Sequence, residues 1–210
     1  MKVLAINGSP RSEGNTFIAL SAVAGELEKA GIVTEIVHIG NKDIRGCIAC
    51  GKCAERADGR CVFDDCVNEL LPRMVAADGL LLGSPVYYAG INGTFKSFLD
   101  RAFYAAAAGG RPFRFKAGAA VVAVRRAGAT DAFDQLNKYF SLSEMVTVGS
   151  NYWNQVYGRA PGESAADAEG LQSMRVLGRN MAWLLQVIAA GREQLPLPEM
   201  EPKIKTNFIR

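Results

Sequence analysis

"KVLAINGSPRSEGNT" (residues 2–16) shows in one stretch how this chain folds. It begins with a short apolar run, residues 2–6, that is rich in residues favouring β-strands. A loop of glycine, serine and asparagine follows, and residues 15–31 then have the apolar periodicity of a helix that ends at Gly31. A strand, a loop and a helix in this order predict an α/β fold.

The same alternation of strand and helix continues along the chain. Five buried runs separated by helices predict an open parallel sheet with helices on both faces, in one domain over residues 1–190. Ligands of such folds bind outside the carboxyl ends of the strands, so the loops after strands one, three and four are candidate sites. The other predicted strands are 33–39, 79–85, 118–124 and 144–150. The other predicted helices are 66–78, 92–106, 130–143 and 165–190. The remaining segments are a cysteine-rich insertion at 45–66 and an irregular tail at 191–210.

The composition is that of a globular protein. The 210 residues are 49% apolar and 21% charged, and the net charge is +3. This charge is too small, and the Lys and Arg residues are too scattered, to predict a nucleic-acid or membrane partner. The first apolar run breaks at Asn7 and Gly8, unlike a signal peptide, and no run is long enough to span a bilayer. We therefore expect a cytoplasmic protein, where clustered cysteines more often bind metal or catalyse than form disulfides.

The loop after the first strand has the composition of a phosphate site at a helix N-terminus. It is not a Walker A loop, because Gly8 and Gly14 are one residue too far apart and Asn15 stands where the lysine would be. It also lacks the G-x-G-x-x-G pattern of dinucleotide sites. We therefore expect a single terminal phosphate. The residues predicted to bind it are Ser9, Asn15 and Thr16 as hydrogen-bond donors and Arg11 as a positive charge.

Two motifs together resemble a known family. "GSPRSEGNT" (8–16) and "GSPVYYAGINGTFKSFLDR" (83–101) are similar to the flavodoxin-like NAD(P)H-dependent FMN reductases, and the resemblance covers roughly residues 1–190. It implies a flavodoxin-like five-stranded parallel sheet of order 2-1-3-4-5, a bound FMN whose phosphate lies in the first loop, and NAD(P)H as a candidate substrate. Members of this family are commonly oligomers, so a homodimer or homotetramer is expected.

The loop after the third strand is a candidate wall for the flavin ring. Gly90 and Gly93 permit a close approach of the backbone to a ligand, and two tyrosines offer flat apolar surface with polar tips. The alternative is that the tyrosines pack a helix–sheet junction. The resemblance places Pro85, Val86, Tyr87 and Tyr88 beside the flavin.

A further wall is predicted at the end of the fourth strand. Arg126 and Gly128 are placed to reach the ring, where a positive group would stabilise reduced flavin, although Arg125 and Arg126 are equally explained as a solvated pair. The aromatic stretch 152–154 is interpreted as a flavin cover, a subunit contact or the edge of the core. Three charged residues of the predicted helix 92–106, Lys96, Asp100 and Arg101, are predicted to be helix-surface or capping groups.

The cysteine-rich segment is a candidate metal site. Cys47, Cys50 and Cys53 recur every third residue, and Cys61 follows after seven intervening residues. Four thiolates can hold zinc or an iron–sulfur cluster. Zinc usually uses two separated C-x₂-C pairs, whereas three close cysteines and a remote one are typical of a 4Fe-4S cluster. Unloaded redox-active thiols and zinc remain alternatives, and Cys66 is predicted to be a buried small hydrophobic residue at a helix start.

The compact cysteine run also resembles that of the iron–sulfur flavoproteins, a branch of the same family. This resemblance implies a 4Fe-4S cluster on the four cysteines and electron transfer between the cluster and FMN. We therefore expect an FMN-dependent oxidoreductase that moves electrons from NAD(P)H or a reduced donor protein to a quinone, a flavin or another small oxidant. The alternative is a non-enzymatic carrier that exchanges electrons with ferredoxin-like partners. No side chain is predicted to be a catalytic acid or base, because the cofactor carries the chemistry, and the single histidine, His38, is expected to be structural.

Overall fold

A parallel sheet forms the middle layer of the molecule. The computed structural model describes residues 1–192, 194–204 and 206–209. Five parallel strands run in the order β2-β1-β3-β5-β6, which is the order 2-1-3-4-5 predicted for the five main strands, because β4 is a short antiparallel partner of β3. The strands are β1 (Lys2–Asn7), β2 (Val33–His38), β3 (Gly79–Tyr87), β4 (Gly90–Ile91), β5 (Ala117–Val124), β6 (Val146–Thr147) and β7 (Gln155–Tyr157).

The outer edge of the sheet differs from the prediction of one strand at 144–150. The structure divides this position into two short strands, β6 and β7, which pair in parallel with opposite ends of β5. Residues 148–154 lie between them and contain Gly149, Ser150 and Asn151, which favour turns over strands. This segment places the aromatic pair Tyr152 and Trp153 at the surface, where their rings contact each other edge to face. A strand of three residues such as β7 is too short to show an alternating pattern in the sequence.

Helices cover both faces of the sheet, as predicted. One face packs against α1 and α6 through a core that includes Val3, Leu20 and Leu177. The other face packs against α3, α4 and α5 through a core that includes Leu4 and Phe98. Successive residues of β1 point to opposite faces, so each strand contributes to both cores. The helices are α1 (Asn15–Lys29), α2 (Lys52–Arg56), α3 (Cys66–Ala76), α4 (Gly93–Ala108), α5 (Ala129–Leu142) and α6 (Ala168–Arg192).

Two of the helices have a side-chain cap at the N-terminus, and two others lack one. Asp65 and Asn92 cap α3 and α4 by accepting hydrogen bonds from backbone N–H groups two or three residues later. In contrast, α1 and α5 begin after glycines, Gly14 and Gly128, that offer no side-chain cap. The first N–H groups of α1 and α5 are therefore left available for a ligand at the carboxyl edge of the sheet.

The chain after α6 carries no helix or strand in residues 194–204 and 206–209. The domain boundary at 190 and the irregular tail expected from its prolines stay predictions, and α6 itself extends to Arg192. Within the described ranges, none of the helices has the length and apolar character needed to cross a membrane.

Candidate functional site

A cavity of about 170 Å³ opens at the carboxyl ends of β1 and β3. We call it the β1–β3 cavity. It brings together two loops that are about 70 residues apart in the sequence, as expected where parallel strands end at the same edge of a sheet. Seven of its lining residues were predicted from the sequence: Ser9, Arg11, Asn15, Thr16, Pro85, Val86 and Tyr87. The others are Gly14, Ala123, Arg125, Gly158 and Arg159.

One end of the β1–β3 cavity has the chemistry of an anion site. The Thr16 hydroxyl is buried there and has no hydrogen-bond partner within the described part of the chain. The first turn of α1 carries no acidic residue, and its N–H groups face this end. Arg11, Arg125 and Arg159 line the same cavity. An unpartnered buried hydroxyl, free N–H groups and three guanidinium groups together favour a bound phosphate.

The phosphate loop is held in shape by its own hydrogen bonds. Asn7 accepts a hydrogen bond from the Ser9 backbone N–H at 3.0 Å and donates one to the Ser12 carbonyl oxygen at 3.0 Å. The His38 Nε2 atom lies 2.7 Å from the Ser9 carbonyl oxygen. A carbonyl oxygen only accepts, so Nε2 carries the proton of the imidazole. His38 therefore has the structural role expected of it.

Asn15 braces a neighbouring loop. Its side-chain nitrogen donates to the Ala160 carbonyl oxygen at 2.9 Å, and its side-chain oxygen accepts from the Ser164 N–H at 3.1 Å. The side-chain nitrogen has a second N–H group and Asn15 lines the cavity, so its predicted donation to the phosphate stays a prediction. The braced loop contributes Gly158 and Arg159, which sequence reasoning missed because nothing local marks them as site residues.

Tyr88 does not line the β1–β3 cavity. It lies with Ala89 in the two-residue turn between β3 and β4, and both residues have positive φ angles, 48° and 59°. This turn projects Tyr88 into solvent, where its side chain is fully exposed. Its predicted contact with the flavin stays a prediction, and the structure supplies Tyr87 as the tyrosine that lines the cavity.

Arg126 and Gly128 line a different cavity, of about 390 Å³, at the N-terminus of α5. We call it the α5 cavity, and Tyr152 and Trp153 form another part of its wall. The neighbouring Arg125 takes the position in the β1–β3 cavity that the sequence had suggested for Arg126. Whether Arg125 or Arg126 lines the β1–β3 cavity depends on the orientation of the chain at the end of β5. The local sequence pattern does not show this orientation.

Thr16 provides a first test of the anion site. We expect Thr16→Val to weaken FMN binding about tenfold, because a hydrogen bond to a charged group is lost. The free energy of unfolding of the FMN-free protein should not fall, since the hydroxyl has no partner there. Fluorescence titration with FMN measures the Kd. Thr34→Val is the matched control, since its hydroxyl in β2 is likewise buried without a partner in the described residues. Equal Kd values for Thr16→Val and wild type would contradict the assignment.

The four predicted metal ligands also line one cavity. Cys47, Cys50, Cys53 and Cys61 are free thiols and share this small cavity, of about 20 Å³, with Arg101. We call these four residues the cysteine site. Two sharp changes of backbone direction form its loop, at Ala49 and Gly51, whose φ angles are 52° and 73°.

Burial and neighbouring thiols both act on Cys53 in the cysteine site. Burial raises the pKa of Cys53, and the nearby Cys61 and Cys50 raise it further when they carry charge. Among the residues that the structure describes, no three His, Cys, Asp or Glu side chains are gathered closely enough to hold a metal ion. Cys66 lies outside this cavity and is buried at the start of α3, as predicted, and burial raises its pKa.

Arg101 is not the surface group that the sequence predicted. Only 2% of it is exposed, and its guanidinium forms a bidentate ion pair with Asp65, at 2.7 and 2.9 Å. The prediction was wrong because the cysteine-rich segment folds over the middle of α4 and covers this position. Lys96 and Asp100, on the same helix, have the surface positions predicted for them and form an ion pair at 2.8 Å.

Comparisons with known proteins show the family of this chain. The family model described as NADPH-dependent FMN reductase matches residues 1–158. The chain belongs to this family. Within the NADPH-dependent FMN reductase family it belongs to the iron–sulfur flavoprotein branch, since an iron-sulfur flavoprotein of Methanocaldococcus jannaschii is 36% identical over 201 residues, covering 90% of this chain and 99% of the relative. An iron-sulfur flavoprotein of Methanosarcina thermophila is 28% identical over 202 residues, covering 92% and 100% of the two chains.

Solved structures support the flavodoxin-like fold of this family member. RosB with bound 8-demethyl-8-formylriboflavin-5'-phosphate superimposes with a TM-score of 0.67 at 17% identity, covering 100% of this chain and 94% of RosB. A flavodoxin from the domain Archaea superimposes with a TM-score of 0.56 at 13% identity, covering 89% and 99% of the two chains. The flavodoxin-like fold and its parallel sheet are therefore confirmed.

Proposed function

We propose that this protein is an FMN-dependent oxidoreductase that takes electrons from NAD(P)H or a reduced donor protein and passes them to a small oxidant such as a quinone or a flavin. The observation that carries the proposal is the anion end of the β1–β3 cavity, where the buried Thr16 hydroxyl has no partner among the described residues. Membership of the NADPH-dependent FMN reductase family supports the choice of cofactor and of reaction class.

The residues of the β1–β3 cavity fit FMN. Thr16, the N-terminus of α1 and Arg11 would hold the phosphate, and Pro85 and Tyr87 at the end of β3 would line the site of the ring. FMN would supply the ability to accept an electron pair and to release electrons one at a time. Arg125 would place a positive charge near the reduced ring, and Tyr87, which is half exposed, leaves an approach for a small reactant. The chain's own contribution is binding, orientation and charge.

The cysteine site fits a 4Fe-4S cluster by its donor chemistry. It offers four free thiols on one short segment, and small residues between them permit tight turns. The cluster would supply one-electron transfer next to a cofactor that handles two electrons. The name that the relatives share, iron-sulfur flavoprotein, supports this assignment.

A second candidate function is an electron carrier without a small substrate. Cys47 and Cys50 are exposed at the surface, so a ferredoxin-like partner protein could approach the cysteine site directly. The exposed side chains of Tyr152 and Trp153 support a further proposal, that the chain assembles into a homodimer or homotetramer. Light scattering of the purified protein measures the mass of the assembly.

Anaerobic purification followed by two assays tests this function. We expect about one FMN, about four iron and about four acid-labile sulfide atoms per chain, with little zinc, as a 4Fe-4S flavoprotein requires. Steady-state oxidation of NADH or NADPH in the presence of a quinone then measures turnover. Rapid electron exchange with a ferredoxin together with negligible turnover would favour the carrier. Full FMN without iron would leave a plain FMN reductase, and a chain without FMN affinity would overturn the proposal.

A further inference from the structure

Arg101 makes an unusually complete set of hydrogen bonds for a buried guanidinium. Burying such a charge is unfavourable unless every donor finds a partner. All five of its N–H groups have an acceptor on the segment that carries the cysteines. Nε donates to Cys61 Sγ at 3.3 Å, Nη1 donates to Arg45 O at 3.3 Å and Asp65 Oδ2 at 2.7 Å, and Nη2 donates to Phe63 O at 3.4 Å and Asp65 Oδ1 at 2.9 Å.

Asp65 fixes the far end of the same segment. Its carboxylate accepts both bonds from Arg101 and also accepts the N–H of Val67 at 3.0 Å, where it caps α3. Cys61 is held independently by Asn68, whose side-chain oxygen accepts the Cys61 N–H at 2.8 Å. The start of α3 and the middle of α4 thus hold the Cys61 region between them.

The helix that carries Arg101 also leads to the β1–β3 cavity. α4 begins at the cap residue Asn92, whose backbone N–H donates to Ser84 Oγ at 3.0 Å, next to the cavity-lining Pro85. Arg101 follows Asn92 by nine residues, about 14 Å along a helix axis. One rigid element therefore positions both the loop expected to hold the flavin and the cysteine site.

We propose that Arg101 is the positioning residue of the cysteine site, which fixes Cys61 and holds a positive charge beside its sulfur. This inference rests on the proposed function in assigning a redox role to the site. Adding one electron to a metal–thiolate group adds one negative charge and breaks no bond. The guanidinium stabilises the reduced state by its charge and by the hydrogen bond to Sγ, so it makes the midpoint potential less negative.

Two measurements on variants of the full-length protein test the inference. Hydrogen–deuterium exchange followed by mass spectrometry reports whether residues 45–65 are held in place. We expect about tenfold faster exchange there in Arg101→Met, because charge-assisted hydrogen bonds are lost, and smaller changes in Arg101→Lys. Lys52→Gln is the matched control, since Lys52 is an exposed cation of the same segment that pairs only with Glu55 in the described structure. It should exchange like wild type.

The midpoint potential of the cysteine site distinguishes an effect of the Arg101 charge from a loss of order in residues 45–65. In a redox titration with dithionite as the reductant, Arg101→Met should shift the potential to more negative values, and Asp65→Asn should shift it the opposite way. Damage to the fold alone would not reverse sign between two variants that break the same ion pair.

Different results would overturn the positioning role of Arg101, the effect of its charge and the presence of a cluster. An Arg101→Met variant with wild-type exchange in residues 45–65 overturns the positioning role, and an unchanged potential overturns the effect of its charge. A wild-type protein without iron overturns the cluster part of the proposed function, whereas hydrogen exchange still decides the positioning role in that protein.

Discussion

Replacing Gly40 by alanine is expected to abolish FMN binding and to lower the free energy of unfolding by about 3 kcal/mol, at the upper end of overpacking effects. An alanine Cβ at this position would lie 2.5 Å from the Gly8 carbonyl oxygen and still closer to the carbonyl group of Ser9. Both neighbours are backbone atoms of the phosphate loop, so the clash cannot be relieved by a side-chain rotation. The loop itself would have to move, and it would take the phosphate donors with it.

Fluorescence titration with FMN and urea denaturation measure the two effects. Gly25→Ala is the control, because Gly25 lies inside α1 and an added Cβ meets nothing within 4 Å. This variant should keep the Kd of wild type and gain about 0.5–1 kcal/mol, as glycine is a poor helix former. A Gly40→Ala protein that binds FMN like wild type would show that the phosphate loop is not the FMN site.

Cys61→Ala is expected to remove most of the iron and acid-labile sulfide from anaerobically purified protein while FMN stays bound. Cys61 lines the cysteine site, and a site built for four thiolates binds a 4Fe-4S cluster less tightly when one of them is removed. The β1–β3 cavity contains no cysteine, so its affinity for FMN should not change. Iron, sulfide and FMN analyses per chain, together with the visible absorption spectrum, measure the result.

Cys66→Ala is the matched control for the cysteine site. Cys66 packs in the hydrophobic core at the start of α3 and does not line that cavity. The variant should retain its iron and lose about 1 kcal/mol of stability through the lost core contacts of the sulfur. A Cys61→Ala protein with full iron, or a Cys66→Ala protein without it, would contradict the choice of ligands.

Much of the fold was predictable because its signals are local. The strands buried on both faces read as continuous apolar runs such as residues 118–124, and the helices show apolar periodicity between them. Once the main strands were expected to be parallel, the loops after β1 and β3 had to meet at one edge of the sheet. Thr16 and Pro85 could therefore be assigned to one site without any knowledge of their contacts.

The sequence did not predict environments that depend on distant parts of the chain, nor a turn that no glycine marks. Arg101 has the sequence context of a surface helix residue, yet its partner Asp65 lies 36 residues earlier. Asn15 is braced by Ser164, 149 residues away. Tyr88 is turned outward by a tight turn at two residues that are not glycine, so composition gave no sign of its positive φ angle.

The sequence by itself determined the order and burial of the main strands, the phosphate loop and the number and spacing of the thiols. These follow from apolar periodicity, turn-forming residues and ligand chemistry, which are all properties of neighbouring residues. Only the tertiary structure decided that Gly40 must lack a side chain, that Arg125 rather than Arg126 lines the β1–β3 cavity, and that Arg101 holds Cys61. The physical reason is that close packing brings together segments that are far apart in sequence. Burial then changes the free energy of placing a charge or an added Cβ at a given position.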